Sequence, residues 1–333
     1  MFHVTEAEIM ANWSENDPIR VSVCCITYKQ EQYIAQAIDS FLMQKTTFPF
    51  EIIIGEDYGC DGTLSILEKY QACYPSLIRI VTSEKNVGIN ANFLRIFNAA
   101  RGDYIAVCEG DDFWVSDNKL ECQYNEMKMR PEIFFSFHKS SCILDGVKVN
   151  TLSQGDEIKL FKHEDMFESV GMIAATSSYM FSRALVNQLP VWFDKATVGD
   201  FFLEVYGMKD HAGLYIPTEM SAYRLAAVNS WSNQILNLDR YIETFNRLID
   251  NYEWCRVDFG NDLVNRRIAK VCIMVASRCL QENNDELFKN YVKKATAANP
   301  YVSLKHYYYH LFIQHVWLIK ITHKIFRLVR INK

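Results

Sequence analysis

Short apolar runs alternate with helical spacing through the first 140 residues. Residues 21–27, Val-Ser-Val-Cys-Cys-Ile-Thr, are apolar at nearly every position, which suits a parallel strand covered on both faces. Tyr33, Ile34, Ile38, Phe41 and Leu42 then recur at helical spacing and predict an amphipathic helix. A second strand is expected over 50–55, followed by a helix carrying Leu64, Leu67 and Tyr70. Two further strands, 78–82 and 104–109, flank a helix running from about Ala91 to Ala100. Repetition of strand, crossover helix and strand predicts an α/β fold with a doubly wound, mostly parallel sheet. Ligands of such sheets bind beyond the carboxyl ends of the strands, so Tyr28, Asp57 and the 109–112 segment should converge on one crevice.

From 239 to 299 the pattern is helical with few strand signals, and Trp231-Ser-Asn233 reads as the edge of the first domain. The expected organisation is therefore an N-terminal domain over 1–235 and a helical C-terminal region over 236–333. With 333 residues, 49% of them hydrophobic, the chain can bury one substantial core and a smaller appended piece. A net charge of −5 gives no reason to expect nucleic acid as a partner. Ten cysteines lie scattered, without the spacing of a zinc site or a disulfide scaffold, which favours a reducing, cytoplasmic compartment. The polar, acidic start is not expected to be a signal peptide, and no run approaches the roughly 18 to 20 apolar residues of a membrane span.

The strongest chemical signal is Cys108-Glu-Gly-Asp-Asp-Phe-Trp114, directly after a buried strand. Crowding acidic side chains into a crevice is costly unless a cation relieves their repulsion. Asp111 and Asp112 therefore read as a magnesium or manganese diphosphate site, with an ordinary acidic turn capping the next helix as the plainer alternative. A second acidic cluster, Glu56-Asp57-Tyr-Gly-Cys-Asp61-Gly-Thr63, ends another strand on the same edge. One carboxylate there could read a nucleoside, whereas Asp61 reads equally well as a helix cap.

Taken together these stretches resemble the family 2 glycosyltransferases, whose catalytic domain has the A-type glycosyltransferase fold. The matching pieces are 21–28, 51–63, Asn86-Val-Gly88 and 102–114, then Ala175-Thr-Ser-Ser-Tyr-Met-Phe-Ser-Arg183, Val198-Gly-Asp200, Tyr223-Arg224 and Trp231-Ser232. Each is weak, but their order and spacing are specific. The resemblance implies an inverting glycosyltransferase that moves a sugar from a nucleotide-diphosphate donor to a hydroxyl acceptor, with Mn2+ or Mg2+ as cofactor. It implies that Thr27 and Tyr28 pack against the nucleobase, that Asp57 bonds the base and that Asn86 belongs to the nucleotide site. By the same resemblance Asp112 would hold the metal, Asp111 would lie near the ribose or sugar, and Asp200 would be the base that takes the acceptor proton. A helix N-cap is the alternative role for Asp200. Many relatives carry a histidine two residues after the tyrosine-arginine pair, where this chain has Ala226.

Nine basic residues and no acidic one follow Glu286, interleaved with Trp317, Phe326, Leu328 and other apolar side chains. Such a tail suits the surface of an anionic membrane. The expected setting is thus peripheral, at the inner face of the membrane, with a glycan or lipid-linked saccharide acceptor and a role in bacterial surface polysaccharide or glycolipid synthesis. His306 and His310 share a helix face without a third ligand and read as surface or membrane-facing. A nucleotidyltransferase is disfavoured because residues 27–32 are not a glycine-rich phosphate loop, and neither a P-loop nor a dinucleotide fingerprint occurs. A catalytically silent sugar-nucleotide or membrane-binding protein of the same fold is the alternative that Ala226 keeps open.

Overall fold

The computed structural model describes residues 4–14, 16–169, 172–228 and 235–331, with side chains omitted at 323 and 325–331. The 231–233 segment and the side chains of Phe326 and Leu328 lie outside the described residues. Two compact units result: Met1–Met166 with Met172–Asn233, and Phe167–Gly171 with Gln234–Lys333.

The first unit is a mixed sheet with helices whose ten strands, β1 to β10 at 21–27, 50–56, 78–81, 104–107, 113–114, 133–144, 147–152, 159–161, 180–182 and 212–224, stand in the order β3-β2-β1-β4-β9-β6-β10-β5, with β7 beside β6 and β8 beside β10. Its parallel part consists of β1 (Val21–Thr27), β2 (Phe50–Glu56), β3 (Ile78–Val81) and β4 (Tyr104–Val107). Every residue of β1 and β2 is buried, as an apolar run covered on both faces requires. After the short α1 (Glu6–Met10), helices α2 (Ile34–Leu42), α3 (Thr63–Cys73) and α4 (Ile89–Ala99) make the crossovers, and a short α6 (His163–Glu168) comes later in the chain. The sequence places these strands and helices within two residues of where they stand.

Beyond β4 the sheet changes character. β9 (Met180–Ser182) runs antiparallel to both β4 and β6 (Ile133–Leu144), whereas β10 (Ala212–Arg224) runs parallel to β6. β5 (Phe113–Trp114), β7 (Val147–Leu152) and β8 (Lys159–Phe161) add short antiparallel pairs. Trp114 is buried against Phe41, with ring centroids 4.8 Å apart, and anchors the chain where it leaves β4 for α5 (Lys119–Lys128). Truncating such a residue to alanine costs about 3–5 kcal/mol.

The second unit is helical, with its main helices at Leu238–Trp254, Asn261–Gln281, Asp285–Ala298, Leu304–Leu311 and Val316–Ile331. Tyr252, Phe288, Tyr291 and Tyr309 fill its interior. His306 is buried, not membrane-facing as the sequence suggests, because it lies one turn from Tyr309 on the inner face of its helix. Its Nε2 is 3.0 Å from Thr296 Oγ1, and His310 Nδ1 is 3.2 Å from the same hydroxyl. Val316 and Ile319 are buried and Lys320 pairs with Asp285 at 2.6 Å, so the start of the last helix docks on this unit.

Candidate active site

The carboxyl ends of β1 and β2 carry the first acidic cluster. Glu56 accepts the backbone N–H of Tyr58 at 3.1 Å and of Gly59 at 2.7 Å. Asp61 accepts from Thr63 N at 3.1 Å and Glu31 N at 3.3 Å, while Glu31 accepts from Gly62 N at 2.7 Å. These bonds lock the loop after β1 to the loop after β2. Lys29, Tyr58 and Cys60 stand there at φ 55, 58 and 56, a left-handed conformation that costs a non-glycine residue about 1–2 kcal/mol. Tyr28 (37% exposed) and Tyr58 (50% exposed) present aromatic rings at these loops, while Thr27 is buried with its hydroxyl unpartnered.

Asp57 is buried and its carboxylate is engaged. Oδ1 accepts from Val87 N at 2.7 Å and Ser83 Oγ at 3.2 Å, and Oδ2 accepts from Gly88 N at 2.9 Å. Asn86 is exposed, and its amide donates to the Asp57 carbonyl at 3.4 Å. Asp57 thus fastens the 83–88 loop, which leaves little free acceptor capacity on its side chain.

The second cluster follows β4. Gly110 N donates to Ile26 O at 3.0 Å, and a Cβ at Gly110 would stand 2.5 Å from Gln30 Oε1 and 3.1 Å from Thr27 Cβ, so a larger residue would have to displace Gln30 and crowd Thr27 for this turn to lie against the end of β1. Asp111 and Asp112 are consequently buried beside Glu109. Asp112 Oδ1 accepts from Arg224 N at 2.8 Å, and Arg224 Nε donates to Asp111 O at 2.9 Å. Asp112 Oδ2 has no hydrogen bond of good geometry, although the Ser177 hydroxyl lies close enough to favour the charged form.

Burial pushes the carboxyls of Glu109, Asp111 and Asp112 above the ordinary range. The charge of Asp111 adds to the effect at both neighbours, and Arg224 partly offsets it at Asp111 and Asp112. The charge of Asp200 also raises Glu109, so the two carboxyls lie within electrostatic reach of one another. Asp200 is the first residue of α7 (Asp200–Gly207), whose N-cap is Gly199, and its Oδ1 accepts from Phe201 N at 2.7 Å. A carboxylate there also meets the positive end of the helix.

The structure thus brings Glu109, Asp111 and Asp112 together, with Asp200 within electrostatic reach of Glu109, whereas Asp57 and Asn86 belong to a separate loop-fastening group. Among the described residues no three His, Cys, Asp or Glu side chains form a metal-binding group. The orphaned Asp112 Oδ2 and the crowded negative charge fit a divalent cation that takes few protein ligands. Glu109 lies in the 109–112 segment that the sequence places at the crevice, and Ser177 and Arg224 stand within matched motifs, but sequence reasoning gives none of the three a role of its own. An open cavity of 550 Å³ lined by Asp103, Tyr104, Lys128 and Arg183 lies at the other end of β4 and contains none of these carboxylates.

Comparison with known proteins follows the same geography. The profile described as Glycosyl transferase family 2 matches residues 22–186. An uncharacterized Mycobacterium tuberculosis protein is 33% identical over 228 residues, covering 67% of this chain. The chain in turn matches only 64% of that relative's length. TuaG of Bacillus subtilis, described as a putative teichuronic acid biosynthesis glycosyltransferase, is 26% identical over 78% of this chain and 100% of its own. Among solved structures, residues 1–349 of S. aureus TarS in complex with UDP-GlcNAc share the fold at a TM-score of 0.64, with 14% identity over 92% of each chain.

Proposed function

Because the chain belongs to glycosyl transferase family 2, we propose that it transfers a sugar, with inversion, from a nucleotide-diphosphate donor to a hydroxyl of a glycan or lipid-linked saccharide. The observation that carries this reading is the buried pair Asp111 and Asp112, one oxygen of it unpartnered, beside Glu109, which feels the charge of Asp200. The setting is bacterial surface polysaccharide or glycolipid synthesis, to which relatives such as TuaG point.

In this reading Tyr28 stacks on the nucleobase with Thr27 beneath it, and Asp57 and Asn86 shape the nucleotide side through the 83–88 loop. Asp111 meets the ribose or sugar. Asp112 would hold Mn2+ or Mg2+, which when bound offsets charge on the departing diphosphate. Arg224 keeps the Asp111–Asp112 turn in place through its backbone and guanidinium N–H groups. Asp200 accepts the acceptor's hydroxyl proton as that oxygen bonds to the anomeric carbon and the bond to the diphosphate oxygen breaks.

Ten free cysteines among the described residues support a reducing, cytoplasmic setting. Trp317 and Ile321 are exposed on the outer side of the last helix, opposite buried Val316 and Ile319, which supports peripheral contact with an anionic membrane. No helix among the described residues is long and apolar enough to cross a membrane. Deletion from residue 323 tests that contact while leaving the buried His306 and Tyr309 in place. The shortened chain should leave anionic vesicles at low salt and keep its melting temperature; intact protein that ignores such vesicles would refute membrane contact.

The activity is tested by nucleoside diphosphate release from UDP-, GDP- and dTDP-sugars, with and without manganese, beside a thermal-shift series on the same panel. Metal-dependent release from one donor class is expected. Binding without turnover across the panel and added glycan acceptors would instead favour a catalytically silent sugar-nucleotide protein.

A further inference from the structure

The turn that precedes Asp200 is held from the nucleotide side of the sheet. Asn90 sits in the first turn of α4, two residues after Gly88, whose N–H the Asp57 carboxylate accepts at 2.9 Å. It is buried (4% exposed), and its Nδ2 donates to Ala196 O at 2.6 Å. Its Oδ1 has no hydrogen-bond partner and lies 2.4 Å from where a Cβ on Gly199 would stand, with Phe193 Cζ 3.3 Å from the same point. Asn92, two residues on and on the other side of the helix, donates to Gly55 O at 2.7 Å and ties α4 to β2. From Asp57 the chain of contacts therefore runs through Val87 and Gly88 to Asn90, then through Ala196 and Gly199 to Asp200.

We propose that Asn90 is a positioning residue for Asp200: its side-chain amide clamps the 196–199 turn so that the nucleotide loop and the proton acceptor form one rigid assembly. The proposal rests on the reading of Asp200 as the base. A buried asparagine that gives one hydrogen bond and leaves its carbonyl oxygen unmatched is a costly choice for packing alone, since an unmatched buried polar group costs about 1–3 kcal/mol. The gain is geometric. Gly199 has no side chain, so its approach to Asn90 fixes where the first residue of α7 begins, and a base displaced by about 1 Å loses on the order of 10²-fold in rate.

Three substitutions separate the outcomes. Asn90→Asp keeps the shape and removes the donor to Ala196 O, Asn90→Ala removes the clamp, and Gly199→Ala pushes the turn away from the other side. Each should lower turnover about 10- to 100-fold, with the donor KM within about two-fold, because the loss falls on the chemical step. The donor is the one selected by the panel above, and melting curves establish that each variant folds. Combining Asn90→Ala with Gly199→Ala should be no worse than Asn90→Ala, since the clashing oxygen is gone. Combining Asn90→Ala with Asp200→Asn should be no slower than Asp200→Asn, because Asn90 acts through that carboxylate. In the ligand-free protein, amides 197–203 should exchange faster in Asn90→Asp than in wild type. Wild-type turnover in Asp200→Asn would overturn the base reading itself. A slow Asp200→Asn with losses that multiply, or with Asn90→Asp at wild-type turnover, would overturn the clamp alone.

Discussion

Two acidic clusters end neighbouring parts of one sheet and differ in how their charge is met. After β2, Glu56, Asp57 and Asp61 each accept at least two hydrogen bonds, most of them from backbone N–H groups. After β4, Glu109, Asp111 and Asp112 crowd together, their carboxyls held above the ordinary range by burial and, at Glu109 and Asp112, by the charge of Asp111 as well, and Asp112 Oδ2 has no good partner. Matched carboxylates build loops. Unmatched ones store an electrostatic cost that a bound cation or substrate can relieve, which is the mark of a site prepared for chemistry.

The sharpest way to break this contrast is Asp112→Asn. Removing one of the crowded charges should lower transfer by about 10³-fold or more and abolish metal-dependent nucleotide binding, yet raise the melting temperature of the ligand-free protein. Calorimetry with UDP and manganese, read beside a melting curve, checks both halves; a destabilised variant would mean that Asp112 is matched after all. Next comes Asp200→Asn, expected to keep nucleotide affinity and lower turnover by about 10² to 10⁴. Turnover near wild type would reduce Asp200 to a first-turn helix residue.

In the first cluster the expected balance is reversed. Asp57→Ala frees Val87 and Gly88 and should cost about 1.5–3 kcal/mol of stability, the range for hydrogen bonds to a charged group. Nucleotide affinity should fall with it through the loosened 83–88 loop, measurable by titration with UDP. Smaller still, Asp61→Ala should cost about 1 kcal/mol, as the loss of a cap does, with turnover unchanged.

The pH dependence of the ligand-free protein extends the same comparison. Glu109, Asp111 and Asp112 have folded-state pKa values above the ordinary 4.5, 3.8 and 3.8, so the folded state holds more protons than the unfolded one. Their contribution to stability is present below those ordinary values and is lost as pH rises through the raised ones. Denaturation midpoints followed upward from about pH 4 should therefore decline more steeply in wild type than in Asp112→Asn. Equal slopes would show that the second cluster is not strained.

Much of this arrangement was legible in the chain. Runs such as 21–27 and 50–55 announced parallel strands because nearly every position but Glu51 is apolar or small, and the two acidic clusters were legible because each follows such a run directly. The all-helical stretch after 238 was equally plain. Less legible was the half of the sheet beyond β4, where β6 and β10 mix serine and histidine with aromatic residues and buried polar groups blur the alternation. His306 was misread for a related reason: its burial depends on a neighbouring helix, the one that carries Thr296, and spacing along one helix does not reveal which face turns inward.

The sequence by itself determined that acidic residues would stand at the carboxyl ends of parallel strands, because strand direction and crossover handedness follow from local pattern. Only the tertiary structure decided which of them would be satisfied. The N–H groups that meet Asp57 come from 30 and 31 residues away, the one that meets Asp112 from 112 residues away, and the contact between Asn90 and Ala196 spans 106. A carboxylate's state depends on solvent exclusion and on the donors that reach it, and at those separations the donors are chosen by the packing of the whole unit.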